Sequence, residues 1–262
     1  VTLLTLGPEG TFSHELAVLL DGDVRLCRSI AAVFAGVAAG EGDGLVPIEN
    51  SEAGSVGPTL DGLALHPVWI TGECTLRIRH HLAAVDLDRV LERLYAHPQT
   101  CEQCSLKVEA LGLPVIPTPS NAASAIAARG DPAAGAFVSE GLAARYGLGI
   151  IERNCQNSGT NETRFVRISA VPAHAPTPCR ASLLLDPEEE DRAGLLHALL
   201  GPFAARDLNL TRIESRPSRR GMGRYVFFLD GDCGPGWDEA AAELEHLCRV
   251  KCLGSYGRLD PR

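Results

Sequence analysis

The sequence predicts an α/β protein in two parts, and three observations carry that prediction. Residues 1–169 alternate short apolar runs with helical patterns, as in folds built on a mainly parallel sheet. Residues 170–179, AVPAHAPTPC, hold three prolines and no periodicity, which marks a linker and a domain boundary. Beyond them the runs take the order β-α-β-β-α-β, the ferredoxin-like arrangement.

VTLLTLG reads as the first strand. Ser29 caps a helix in which Ile30, Val33, Phe34 and Val37 recur at i, i+3, i+4 and i+7. GLVPIEN is a buried strand ending in polar residues, and Pro58 in GSVGPTLDGL stands near a helix start, where its missing N–H is tolerated. LAAV is succeeded by helices through LDRVLERLYA and EQCSLKVEALG, then by LPVIPT, helix NAASAIAAR, strand GAFVS, helix EGLAARYG and strand LGIIE. After the linker, RASLLLD is a strand and AGLLHALLGPFAAR a helix despite Pro202. DLNLTRIESRP and GRYVFFLD are strands around a Gly- and Arg-rich turn, WDEAAAELEHLC is a helix, and VKCLGSYG the last strand.

Composition narrows the class. With 45% hydrophobic and 22% charged residues the chain is globular. A net charge of −9 with no Lys/Arg block argues against nucleic acid as a partner. The first residues lack a basic n-region and a cleavage site, and no apolar stretch approaches the roughly 18 residues of a membrane span. A cytoplasmic protein with no membrane contact is expected. Among nine cysteines, Cys101-x-x-Cys104 has no second pair to complete a zinc site, so no metal is assigned and buried free thiols are expected. The N-x-T sequons at Asn161 and Asn209 then have no glycosylation machinery to meet.

Ligands of such folds lie beyond the carboxyl ends of strands, and LGPEGTFS, PIENSEAGSVG, HPQ and TPSN all fall at or near strand-to-helix junctions. GPEG lacks a phosphate-loop signature; Thr11 and Ser13 beside it suit either an anion site at a helix N-terminus or a capped turn. Glu49, Asn50, Ser51 and Ser55 suit either a polar pocket or an N-cap with solvated neighbours. His97-Pro98-Gln99 reads equally as a simple helix boundary. Thr163-Arg164-Phe165 sets a hydroxyl, a guanidinium and a ring side by side. Strand alternation places Thr163 and Phe165 on one face and Arg164 on the other, unless the strand start is distorted.

LGPEGTFSHELA, VPIENSEAGSVGPTLDGL, HPQTCEQC, NETRF and NLTRIESRP…YVFFLDGDCG, in this order, resemble prephenate dehydratase over residues 1 to about 257. The last piece resembles an ACT domain. The resemblance implies two α/β lobes, similar to type II periplasmic binding proteins, with a cleft between them. Lobe one spans about 1–75 plus 157–169 and lobe two about 76–156; the ACT domain spans 180–257 and a tail 258–262. It further implies conversion of prephenate to phenylpyruvate, carbon dioxide and water, with phenylalanine as allosteric effector. Aromatisation drives the reaction, so no cofactor is expected.

Carried over from the family, Thr163 donates to the leaving hydroxyl. Arg164 is expected to grip the pyruvyl carboxylate, because holding the carboxylate that departs would stabilise the ground state. Thr11, Asn50, Ser51, Gln99, Ser120, Asn161 and Phe165 line the cleft. Gly194, Leu195, Leu196, Asn209 and Leu210 bind the effector near Glu214, Ser215 and Arg216, between paired ACT domains of a homodimer or homotetramer. The chain departs from the family at Asn157, Asn121 and Ala193. A close alternative is arogenate dehydratase, which no residue here separates. A non-catalytic amino-acid sensor is a further one, against which the intact Thr163-Arg164-Phe165 speaks.

Overall fold

The computed structural model describes residues 2–173, 180–187 and 192–261; positions 174–179 of the expected linker lie outside the described residues. Lobe one is a sheet in the order β2-β1-β3-β11-β5, with a short β4 on β3. Its strands are β1 (Leu3–Leu6), β2 (Val24–Cys27), β3 (Asp43–Asn50), β4 (Gly54–Ser55), β5 (Trp69–Arg77) and β11 (Glu162–Ser169). Helices α1 (Phe12–Leu20), α2 (Ile30–Ala38) and α3 (Gly57–Leu65) pack on it. The Ser29 side chain accepts from Ala32 N, and Ile30, Val33, Phe34 and Val37 of α2 are buried; the amphipathic spacing therefore translates directly into the packed face.

After β5 the chain builds lobe two and then returns as β11, which runs antiparallel to both β3 and β5. Lobe two holds β6 (His81–Ala84), β7 (Arg93–Ala96), β8 (Val115–Pro117), β9 (Ala134–Val138) and β10 (Gly149–Glu152), in the order β10-β6-β9-β7-β8. Its helices are α4 (Pro98–Gln103), α5 (Ser105–Leu111), α6 (Asn121–Arg129) and α7 (Glu140–Tyr146). Two crossings, 78–80 and 153–161, join the lobes, the two-lobed arrangement that the resemblance implies.

Four expectations need correction. The sheets of residues 1–169 are mixed rather than mainly parallel, since β11 runs antiparallel to β3 and β5, and β6 antiparallel to β9 and β10. LDRVLERLYA is not a helix: residues 93–96 form β7, parallel to both β8 and β9. Leu94 and Ala96 are fully buried, and alternate burial with two neighbouring strands outweighs the helical pattern that is also present. EQCSLKVEALG is two helices, broken at Cys104 with φ −113° and ψ 20°. Val24–Cys27 and Trp69–Arg77 are strands that the sequence pattern does not single out.

The C-terminal sheet runs in the order β13-β14-β12-β15, with β12 (Arg180–Asp186), β13 (Leu210–Pro217), β14 (Tyr225–Gly231) and β15 (Arg249–Tyr256). Helices α8 (Leu195–Ala204) and α9 (Trp237–Leu244) cover one face with a core that includes Leu183, Leu199, Phe203, Leu229 and Trp237. The other face packs on lobe one. Leu184, Phe228, Leu253 and Tyr256 share a single core cluster with Val46, Ile70, Val166 and Ile168. Gly254 sits at φ +129°, where a Cβ would lie 2.3 Å from the carbonyl oxygen of Ile70, so only glycine lets β15 approach β5 this closely. The expected tail is partly structural: Glu73 N donates to Gly257 O and Leu259 N to Glu73 O. Among the described residues, no helix is long and apolar enough to cross a membrane.

Candidate active site

β11 delivers two side chains to a cavity of about 450 Å³ between the lobes, lined by Thr163 and Phe165 together with Thr11, Asn50, Ser55, His80, Gln99, Gln103 and Ser120. Thr163 lies opposite Asn50 on β3. The Asn50 Nδ2 group donates to Thr163 Oγ1 at 2.9 Å, Asn161 Oδ1 at 2.8 Å and Glu162 O at 3.2 Å. Asn50 Oδ1 is fixed in turn by the amides of Glu52 and Ala53, at 3.0 and 2.8 Å. The orientation of this amide decides the role of Thr163. Its oxygen is occupied as an acceptor, so its own proton is left to point at whatever fills the cavity.

The other expected residues sort by distance from that cavity. Thr11 and Ser120 line it and cap α1 and α6, accepting from His14 N and Ala123 N. Gln99 lines it from the first turn of α4. Phe165 lines it as an apolar wall and continues into the core of lobe one. Asn161 stands one layer behind, 1% exposed, orienting Asn50, and so deeply buried a side chain is no glycan acceptor. Ser51 is outside the lining; its Oγ donates to Thr160 O and accepts from Glu162 N, fastening the β3–β4 turn to β11. Asn157, one of the departures, bridges Leu106 N, Glu102 O and Ser105 Oγ at the α4–α5 break. Asn121, another, lines the cavity and accepts from Thr100 Oγ1 at 2.7 Å.

Arg164 is the principal correction: it does not reach the cavity. Its Nε donates to Glu73 Oε2 and its Nη1 to Asp230 Oδ2, both at 2.7 Å, and its Nη2 to Tyr256 OH at 3.0 Å. The irregularity at this point is a bulge on β3, where Phe165 pairs with Pro47 and Arg164 with Glu49; β11 itself stays in regular register with β5 from Glu162 to Arg167. Alternation therefore holds. Burial pulls the guanidinium pKa down, but Asp230, Tyr256 and Glu73 outweigh it and leave the pKa raised, so Arg164 is a permanent buried cation.

With Arg164 facing away, the cavity lining described contains no Lys, Arg, Asp or Glu. What faces it instead is a set of helix N-termini. The first turns of α1, α4 and α6 contribute Ser13, Thr100 and Asn121 to the lining, and Val56, the N-cap of α3, joins them. The N-caps of α3 and α4 make no side-chain cap bond. Converging N-termini leave backbone N–H groups free and carry partial positive charge, which suits a small anion.

His80 escapes sequence reasoning. It is 1% exposed, lines the cavity, contacts Gln103 Oε1 through Nε2 at 3.0 Å and meets Phe12 edge-on with centroids 5.7 Å apart. Burial pushes its pKa down to about 4, so it is neutral at neutral pH. In the sequence it is one of two adjacent histidines before an apolar run, with nothing to separate it from a core histidine. Ser55 and Gln103 also line the cavity. Cys101 and Cys104 are free thiols, and burial raises Cys104 to about 12. Among the described residues no group of three or more His, Cys, Asp and Glu is placed to hold a metal.

The expected effector residues divide. Gly194, at φ +81°, precedes α8, with Leu195 and Leu196 next in the chain. Asn209 and Leu210 lie past the far end of that helix, at the start of β13; ten residues of α8 separate the two groups by about 15 Å. Glu214 and Arg216 are a second correction. They alternate toward lobe one and bond Ser55 and Asp61; Ser215 faces outward.

Comparison with known proteins divides the chain in the same way. A family model described as prephenate dehydratase matches residues 3–173 and one described as ACT domain matches residues 190–248. A prephenate dehydratase of Methanocaldococcus jannaschii is 34% identical over 266 residues, covering 97% of each chain. A solved prephenate dehydratase from Arthrobacter aurescens, in complex with L-Phe, is 32% identical with a TM-score of 0.88, covering 100% of this chain and 92% of that one. A solved protein described as a novel type of quorum quenching acylase is 26% identical with a TM-score of 0.86, covering 98% of both.

Proposed function

Because this chain belongs to the prephenate dehydratase family, we propose that its cavity converts prephenate to phenylpyruvate and that Thr163 assists departure of the ring hydroxyl. The single observation supporting this most is the Asn50–Thr163 hydrogen bond, which leaves the threonine proton free for the substrate. As the C–C bond to the ring carboxyl breaks, its electron pair enters the ring, the C–O bond opens and hydroxide departs. Thr163 donates a hydrogen bond that strengthens as charge grows on that oxygen. The proton that completes water comes ultimately from solvent, so dianion and proton give phenylpyruvate anion, carbon dioxide and water. The ring becomes aromatic, which drives the step.

In this reading the pyruvyl carboxylate is held by the N-terminal turns that carry Ser13 and Ser120, in place of the guanidinium of Arg164. The departing carboxylate lies against the apolar wall of Phe165, Pro47 and Val56. Tight binding there would stabilise the ground state. Asn50, Gln99 and Asn161 act as anchors or orient anchors.

Phenylalanine is the proposed effector at Gly194, Leu195, Leu196, Asn209 and Leu210. The separation of these two groups by the length of α8 supports a site that one chain cannot close, and hence a homodimer or homotetramer joined through ACT domains. The free thiols of the described cysteines favour a reducing, cytoplasmic compartment. The test is ultraviolet detection of phenylpyruvate from prephenate at neutral pH against a no-enzyme control, with arogenate in parallel. Turnover on prephenate supports the reading; turnover on arogenate alone, or on neither, overturns it.

A further inference from the structure

The face of β11 opposite the cavity carries a closed circuit of charges that passes through the ACT sheet. Arg164 leaves the strand between Thr163 and Phe165 and donates to Asp230 Oδ2 on β14 at 2.7 Å. Asp230 is 2% exposed and has a second cation beside it, Arg212 Nη1 at 3.7 Å. Arg212 in turn donates through Nη2 to Ser55 Oγ at 2.7 Å, and Ser55 lines the cavity. Glu49, opposite Arg164 on one side and Ser55 on the other, closes the circuit, with Oε2 3.6 Å from Arg164 Nη1 and 3.7 Å from Arg212 Nε.

The path thus leaves the cavity wall at β11, enters the ACT domain at Asp230 and returns to the wall at Ser55. The carboxylate is held in plane by Ser182 Oγ, which donates to Oδ1 at 2.6 Å. A buried acid between two buried guanidinium groups cannot release one without leaving charge uncompensated. Planar guanidinium forks also tolerate little change of direction. Asp230 is therefore placed to fix both segments that carry the cavity's polar groups.

We propose that Asp230 is a positioning residue of the cavity: from the ACT sheet it holds, through Arg164 and Arg212, the segments 49–56 and 162–165. Its consequence for turnover rests on the functional reading above, whereas its structural consequence does not. The experiment is hydrogen–deuterium exchange on the full chain, comparing the unsubstituted protein with Asp230→Asn and Arg212→Gln, alongside steady-state kinetics on prephenate. Asp230→Asn is expected to raise amide exchange in 49–56 and 162–165 by about tenfold or more, leaving 121–152 in lobe two unchanged. It should lower kcat about 10²-fold with little change in KM, because the donor is misplaced rather than lost. Arg212→Gln should loosen 49–56 and leave 162–165 protected. Unchanged exchange in both segments of a folded Asp230→Asn overturns the proposal. So does loosening that spreads equally over the ACT strands. If Asp230→Asn does not fold, Arg212→Gln decides alone, and an unaltered 49–56 overturns it. Loosening as expected, with no protein converting prephenate, supports the positioning role and overturns the assigned reaction instead.

Discussion

Replacing Thr163 by valine keeps the shape of the side chain and removes one oxygen, and the surroundings of that oxygen set the size of the effect. Asn50 Nδ2 has two N–H groups and three acceptors within 3.2 Å. Without Thr163 Oγ1, both N–H groups keep a partner, Asn161 Oδ1 and Glu162 O, so no buried donor is orphaned. The stability loss should be that of one ordinary hydrogen bond, about 1 kcal/mol. Turnover should fall far more. A positioned proton donor contributes roughly 10²- to 10⁴-fold, or about 3–5 kcal/mol of barrier. The assay is phenylpyruvate formation from prephenate, beside a urea unfolding curve for the same preparation; Thr163→Ser, which restores the hydroxyl, should recover most of the rate. A folded Thr163→Val with unchanged kcat would refute the role. A loss of several kcal/mol of stability would show instead that the hydroxyl supports the fold.

His80 predicts a pH dependence. Its folded pKa, about 4, lies below the ordinary 6.5, so between those values the unfolded chain binds a proton that the folded chain refuses. This group's stability is complete above pH 6.5 and lost as pH falls toward 4, by about 3 kcal/mol in all. Urea midpoints for His80→Asn should flatten over that window, and an identical slope would contradict the assignment. Arg164→Met strands the buried carboxylates of Glu73 and Asp230 and should cost about 3–5 kcal/mol of stability; a urea midpoint within error of the parent would count against the buried pairing. Ser120→Ala removes the cap that accepts from Ala123 N and should cost about 1 kcal/mol while raising KM for prephenate, a shift absent if the cap faces no ligand.

Much of the fold is legible in the sequence because local rules and burial agree. The α2 spacing, the Pro-rich boundary and the β-α-β-β-α-β order need no partner to be read. LDRVLERLYA misleads because helical and alternating periods coexist in so short a run, and only the flanking strands β8 and β9 decide between them. At Thr163-Arg164-Phe165 strand alternation already separates Arg164 from its neighbours. The expectation that it grips substrate requires a distortion of β11, and the bulge lies on β3 instead. Sequence cannot supply pairing across distance: Asn50 with Thr163, 113 positions apart, and Ser55 with Glu214, 159 apart. Local pattern carries no trace of such contacts, so the polarity of the threonine proton and the attachment of the cavity to the ACT domain emerge only from the folded chain.

The core in which Leu184, Phe228, Leu253 and Tyr256 meet Val46, Ile70, Val166 and Ile168 makes the boundary near residue 170 a seam in the chain rather than a place to cut. A fragment ending there would carry an oily back to its first sheet and lose the tail segment 257–259 that bonds to Glu73. It should clump rather than work, and the intact protein should melt in one step. Exchanging the C-terminal module for that of a relative would thus mean matching a packed interior, as in a transplant between cores, and not merely joining two beads.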